Sequence, residues 1–117
     1  MNIDAAIAII QWPIGITMLV FGIHQMSKPA EWFKFLPAWV SKISPIKNPA
    51  TEMRIHSLGN IIFGLFLMFP FGAMLVAAWI AFIWWLTIVP FAWRVDWALG
   101  MRDLCITLAL GALIFLL

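Results

Sequence analysis

An all-α integral membrane four-helix bundle is the fold class this sequence predicts, and three observations predict it. Hydrophobic residues fill 65% of the 117 positions and charged residues only 10%, too little charge to keep a soluble domain of this size dispersed. The apolar residues fall into four stretches near the roughly 20 residues a helix needs to cross a hydrocarbon core. All 7 lysines and arginines gather in or beside just two of the connecting regions. Mean hydropathy is +1.04, and 8 Trp and 10 Phe against no Tyr fit aromatic anchoring at bilayer interfaces.

The first crossing is expected over residues 3–23. It carries Asp4 where a cleaved leader would be basic, and its apolar run continues without a clear small-residue cleavage site, so it reads as a retained helix. Pro13 removes one backbone donor and is expected to kink it. Gln11 is the one strongly polar residue deep in this stretch. It is expected to hydrogen-bond across to a neighbouring helix, worth about 1 kcal/mol. Gly15 and Gly22 here, and Gly59 and Gly64 on the next crossing, suit close helix approach.

Residues 29–43 read as an amphipathic segment lying in the membrane interface. Trp32, Phe35, Leu36, Trp39, Val40 and Ile43 recur at spacings of three and four, with Glu31, Lys34, Ser41 and Lys42 on the other face. Pro37 should bend this segment into two pieces, and the SPIKNP stretch after it should be irregular. The second crossing is expected over residues 51–69, if its polar start around Arg54 and His56 lies at the interface. Pro70-Phe71-Gly72 then marks a tight turn into a third crossing over 71–91, and the fourth covers 99–117. Trp32, Phe35, Trp39, Trp93 and Trp97 are the expected membrane anchors.

Charge sets the orientation. Lys28, Lys34, Lys42, Lys47 and Arg54 surround the first loop, and Arg94 and Arg102 surround the third. With four crossings those loops share one side, which the positive-inside rule makes cytoplasmic, with both termini outside a cell membrane. Scattered basic residues and a net charge of +2 speak against nucleic-acid binding. The single cysteine, Cys105, excludes an intrachain disulfide and a vicinal dithiol. No metal constellation, nucleophile–base pair or phosphate-binding glycine loop is visible, so an autonomous enzyme is not expected.

Three stretches resemble the DoxX-like family of small four-helix membrane proteins. GIHQMSKPAEWFKFLPAW is similar to that family's first loop, where a glycine and a histidine close the first helix ahead of a proline, aromatics and a second proline. RIHSLGNIIFGLFLMFP resembles its next helix, and MRDLCITLALGALIFLL its last, entered through an acidic residue. The resemblance implies a compact membrane bundle and, for some members, association with redox complexes linked to quinone or thiol stress. It also shows a departure. Many relatives carry Gly-x-x-Glu in the second helix, whereas Gly59 here is followed by Asn60 and apolar residues, so a role resting on that carboxylate does not carry over.

The candidate site is a polar cluster at the cytoplasmic end. Glu52, His56 and Asn60 are spaced four apart and share one helix face, His24 and Gln25 close the first crossing, and Asp103 opens the last. Ionisable groups near hydrocarbon tend to face the bundle interior and pair with each other. A quinone headgroup could sit there, with a histidine or Asn60 donating to its carbonyl and its ring against Trp32 or Phe35. The plainer account is a set of snorkelling residues and helix caps that close the bundle end. His24 and His56 lie on different helices at similar depth, as bis-histidine haem requires, but histidine pairs at a membrane surface are common and haem is not expected. Taken with the DoxX-like resemblance, the expected role is a non-catalytic subunit of a quinone-linked redox complex, with lipids and other membrane subunits as partners. The alternative is a structural subunit that packs lipids or pigments. A small-solute carrier is disfavoured by the lack of a mid-membrane charge.

Overall fold

The computed structural model describes residues 2–36, 38–69 and 74–117. Among these residues the fold is all-α. Helix α1 spans Ile3–Ser27, a 3-10 segment follows over Pro29–Phe35, and α2 is the short helix Ala38–Ile43. The remaining long helices are α3 (Pro49–Met68), α4 (Met74–Val95) and α5 (Trp97–Leu116). Pro37 and the Pro70-Phe71-Gly72 turn, together with the expected start of the third crossing at Phe71, lie outside the described residues.

Each helix start has a local cause. The Asn2 side chain accepts from the Ala5 N–H at 2.7 Å, and Asp4 puts negative charge in the positive first turn of α1. Asn48 accepts from the N–H groups of Ala50 and Thr51 at 3.0 and 3.4 Å, while Pro49 takes the position where a missing donor costs nothing. Asp96 caps α5 by accepting from the Ala98 N–H at 2.7 Å. At the end of α2, the Lys47 ammonium donates to the carbonyls of Ser41 and Ser44 at 3.1 and 2.9 Å.

Two boundaries differ from the expected ones. Helix α1 runs a further turn, to Ser27, because the Lys28 N–H still reaches the His24 carbonyl at 2.8 Å. The loop expected between residues 91 and 99 shrinks to Asp96 alone. Asp96 can end one helix and cap the next because its backbone is extended (φ −159°, ψ 134°). Gly100 makes the tight reversal possible, since a Cβ there would fall 2.7 Å from the Trp93 Cα.

The four long helices form two close pairs, α1 with α3 and α4 with α5, and the pairs meet through α1–α5 and α3–α4 contacts. The shared core holds Ile14, Met18, Leu67, Trp85, Ile106, Leu110 and Leu113 around a seam of Ala77, Ala78 and Ala81. Polar side chains point inward. Gln11, Gln25, Glu52, Ser57, Asn60, Asp103 and Thr107 are buried, whereas Ile9, Ile16, Val20, Leu58, Ile62, Val76, Ile83 and Leu108 face outward. That distribution reverses a soluble protein's and suits a molecule whose solvent is hydrocarbon.

Three of the described helices, α1, α4 and α5, are long and apolar enough to cross a membrane. The sequence reading expected four. Helix α3 has 20 residues, about 30 Å at 1.5 Å per residue, so its length suffices. Its composition does not, because Glu52, Arg54, His56 and Asn60 occupy its first half.

Candidate functional site

The polar cluster is built outward from the buried face of α3. Glu52, His56 and Asn60 follow one another by single helical turns, and each is held by a different element. One Glu52 oxygen lies 3.1 Å from His56 Nε2; the other accepts from Ser44 Oγ, in the loop after α2, at 2.8 Å. A carboxylate can only accept, so with Glu52 ionised His56 carries its proton on Nε2 and leaves Nδ1 as an acceptor. The His56 ring stacks on Trp84 of α4, with centroids 4.6 Å apart and planes at 17°. Asn60 donates through Nδ2 to Gln25 Oε1 of α1 at 2.8 Å. Both of these amide side chains are buried.

Helix α5 closes the far side. Asp103 is buried and accepts from Arg102 Nε at 2.8 Å, and the Arg102 guanidinium lies 4.9 Å over the Phe21 ring. That ring contact holds the arginine against protein, so its charge caps the cluster instead of extending into solvent.

The 3-10 segment forms the cover. Trp32 donates from Nε1 to His24 Nδ1 at 2.7 Å, and its ring packs on Phe21 and Phe35 with centroids 5.4 and 5.7 Å away. His24 Nε2 in turn faces a Glu31 oxygen at 3.4 Å. Both His24 nitrogens are therefore engaged outside the cluster, and His24 lines an open groove on the outer surface with Glu31, Lys34, Leu99 and Arg102. Iron ligation by this histidine would first have to break one of those contacts.

Beneath the cover lies a chamber of about 40 Å³, bounded by Gln25, His56, Asn60 and Asp103, by Trp32, Phe35 and Leu36 above, and by Met53, Trp84, Trp85, Ile88 and Arg102. It has room for a few water-sized groups and not for an aromatic ring. On the other side of His56, Asn60 and Trp84 lies a second, apolar cavity of about 200 Å³ between α3 and α4, lined also by Met18, Ile55, Gly59, Phe63, Ile80 and Ala81. His56, Asn60 and Trp84 thus border both a small polar chamber and a larger oily cleft.

Of the six candidate pocket residues, Gln25, His56, Asn60 and Asp103 converge on the chamber, Glu52 stands behind His56, and His24 sits outside. Trp32 and Phe35, expected as interface anchors, line the chamber from above. Trp39 meets Trp84 edge-on at 6.2 Å, while Trp93 and Trp97 pack on each other at 6.0 Å on the outer surface. Trp85 was missed. It is 4% exposed, and its Nε1 is buried without an acceptor among the described residues. Its sequence signal was the small-residue ladder Ala77, Ala81, Trp85, which puts Trp85 on the face packed inward.

No three His, Cys, Asp or Glu side chains come together to hold a metal among the described residues. Cys105 is exposed. What the site offers is hydrogen bonding: donors on Trp85 and Arg102, acceptors on Asp103 and His56 Nδ1, and both kinds on Asn60. Comparisons of this chain with protein-family models, curated proteins and solved structures find no match.

Proposed function

We propose that this chain is a small four-crossing membrane subunit, of the DoxX-like kind, that holds a quinone headgroup for a redox assembly without transferring electrons itself. One observation carries the reading: a polar chamber and an apolar cleft share His56, Asn60 and Trp84 in their linings. An amphiphile drawn from the bilayer needs that juxtaposition, polar atoms at one end and an oily slot beside them. The ring belongs in the cleft, against Trp84, and its oxygen near Asn60, whose Nδ2 carries a second hydrogen beside the one given to Gln25.

The way α3 lies along α1 supports the fourth crossing. Asn60 pairs with Gln25 towards one end, and at the other Gln11 Nε2 donates to the Met68 carbonyl at 3.2 Å. A helix that accompanies a membrane span along this length crosses with it, its charged first turns resting at the interface. Four crossings put the loops bearing the basic residues on the cytoplasmic side and both termini outside. The 3-10 segment and α2 then lie in the cytoplasmic interface.

Purification in mild detergent followed by mass spectrometry of the bound small molecules tests the proposal. Quinone should accompany the wild-type protein in near-equimolar amount. Asn60→Ala should retain a fraction of it while the helical circular dichroism is unchanged. Absence of quinone from the wild type, in protein purified with its neighbouring subunits, would refute the reading. The exposed face of α4, with Val76, Trp79, Ile83 and Leu86, favours a second reading as a purely structural subunit. That reading requires a larger complex to dissociate when the chain is removed, with no bound redox ligand.

A further inference from the structure

The indole N–H of Trp85 poses a chemical question that the rest of the site does not answer. A buried donor without an acceptor loses its hydration and gains nothing in return, and native structures almost always satisfy such groups. Trp85 is buried in the core, yet its residue borders the polar chamber. The chamber's size is equally telling: about 40 Å³ accepts an oxygen atom or a water but no ring. The neighbouring cleft of about 200 Å³ is the space large enough for an apolar body, and it meets the chamber at His56, Asn60 and Trp84. Gly59 helps to keep that space open, since a Cβ there would meet nothing closer than Phe63 Cε2 at 3.9 Å.

We infer that the site takes a lipid-soluble molecule whose carbonyl oxygen enters the chamber and accepts a hydrogen bond from Trp85 Nε1, while its apolar body lies in the α3–α4 cleft. The inference rests on the quinone reading for the site's location, and it names the atom that recognises the ligand. The carbonyl chemistry has two sources in a bilayer, a quinone ring and the ester linkages of a glycerolipid. Either presents an sp² oxygen at the end of an apolar body.

The test measures binding to the detergent-solubilised full chain, comparing wild type with Trp85→Phe, which keeps an aromatic ring and removes the donor. Four probes are used: decyl-benzoquinone, decylbenzene as its counterpart without an acceptor, an ester-linked phosphatidylglycerol, and its ether-linked analogue without carbonyls. Trp85→Phe should weaken the quinone about tenfold, the worth of one hydrogen bond, and should change decylbenzene less than about twofold on the same scale. Equal quinone binding by wild type and variant overturns the inference and leaves the quinone reading standing. Binding of the ester lipid but no quinone, with the loss in Trp85→Phe confined to the ester form, overturns the quinone reading and upholds the inference. If neither carbonyl probe binds the wild type, both fall. Should Trp85→Phe unfold, Gly59→Leu provides the second variant. It fills the cleft from a position where a Cβ meets only Phe63 at 3.9 Å, and it should abolish binding of quinone and decylbenzene alike; quinone binding at wild-type strength in Gly59→Leu overturns the inference.

Discussion

Helix α3 is closed on one side and open on the other. Against α1 it packs backbone to backbone: a Cβ on Gly22 would lie 2.8 Å from the Ser57 carbonyl, and one on Gly64 would lie 2.8 Å from the Gly15 carbonyl. Against α4 it leaves a cavity of about 200 Å³. Without water to drive apolar surfaces together, close packing and interhelical hydrogen bonds must hold helices in a bilayer. The α1–α3 seam has both, with Gln11–Met68 and Gln25–Asn60 bonding across it. The α3–α4 seam relies on the Trp84–His56 stack beside the cleft. One seam therefore holds the pair together, and the other is left able to admit a guest.

Substitutions in the two seams should separate these roles. The largest effect on stability is expected from Gly64→Val. Its side chain would drive into the backbone of Gly15 and Leu19, neither of which can move alone. The cost should reach about 3 kcal/mol, the upper part of the range for overpacking, read as a lower midpoint of denaturation in mixed micelles. Unchanged stability would mean that α1 and α3 are not in contact at this point. A smaller loss is expected from Gln11→Leu, about 1 kcal/mol for one interhelical hydrogen bond. It should be visible in the same assay and absent from ligand binding, because Gln11 lies at the far end of the seam.

The contrast between Gly59 and Gly64 also marks where sequence reasoning runs out. Both glycines were read as sites of close helix approach, and spacing alone offers no way to tell them apart. Gly64 faces α1, whereas Gly59 faces the cleft. Their difference depends on where α4 lies, which is a tertiary fact. What lies within one helix was legible. The four-residue ladder of Glu52, His56 and Asn60 follows from helical geometry alone, and the structure puts His56 and Asn60 at the chamber with Glu52 bonded behind His56. His24 was not legible in the same way. Its direction is decided by the Trp32 indole and Glu31, which reach it only after the 3-10 segment folds back over the helix end.

The fold was readable to a similar depth. The apolar runs located the long helices, but charge was mistaken for loop near Arg94 and Asp96, where the backbone stays helical on both sides of a single capping residue. A charged side chain at an interface does not end a helix; the extended backbone of Asp96 does, and its carboxylate starts the next helix by accepting from the Ala98 N–H. Composition also left α3 ambiguous. Thr51 and Arg54 are exposed, but Glu52, Ser57 and Asn60 face inward while Ile55, Leu58 and Ile62 face outward, so beyond its first turns its average hydropathy understates how apolar its outer face is. For Trp84 and Trp85, adjacency hid opposite fates: one stacks on His56, and the other enters the core with an N–H that has no acceptor among the described residues.

The most direct test of the account is quinone binding by Gly59→Leu beside its stability. A leucine here has open space for its first atoms and gains helix propensity of about 0.8 kcal/mol over glycine, so the denaturation midpoint should hold or rise slightly. Binding of decyl-benzoquinone should be lost, because the side chain occupies the cleft. A well-folded Gly59→Leu protein that binds quinone as tightly as the wild type would contradict the central claim that the α3–α4 cleft is the ligand's place.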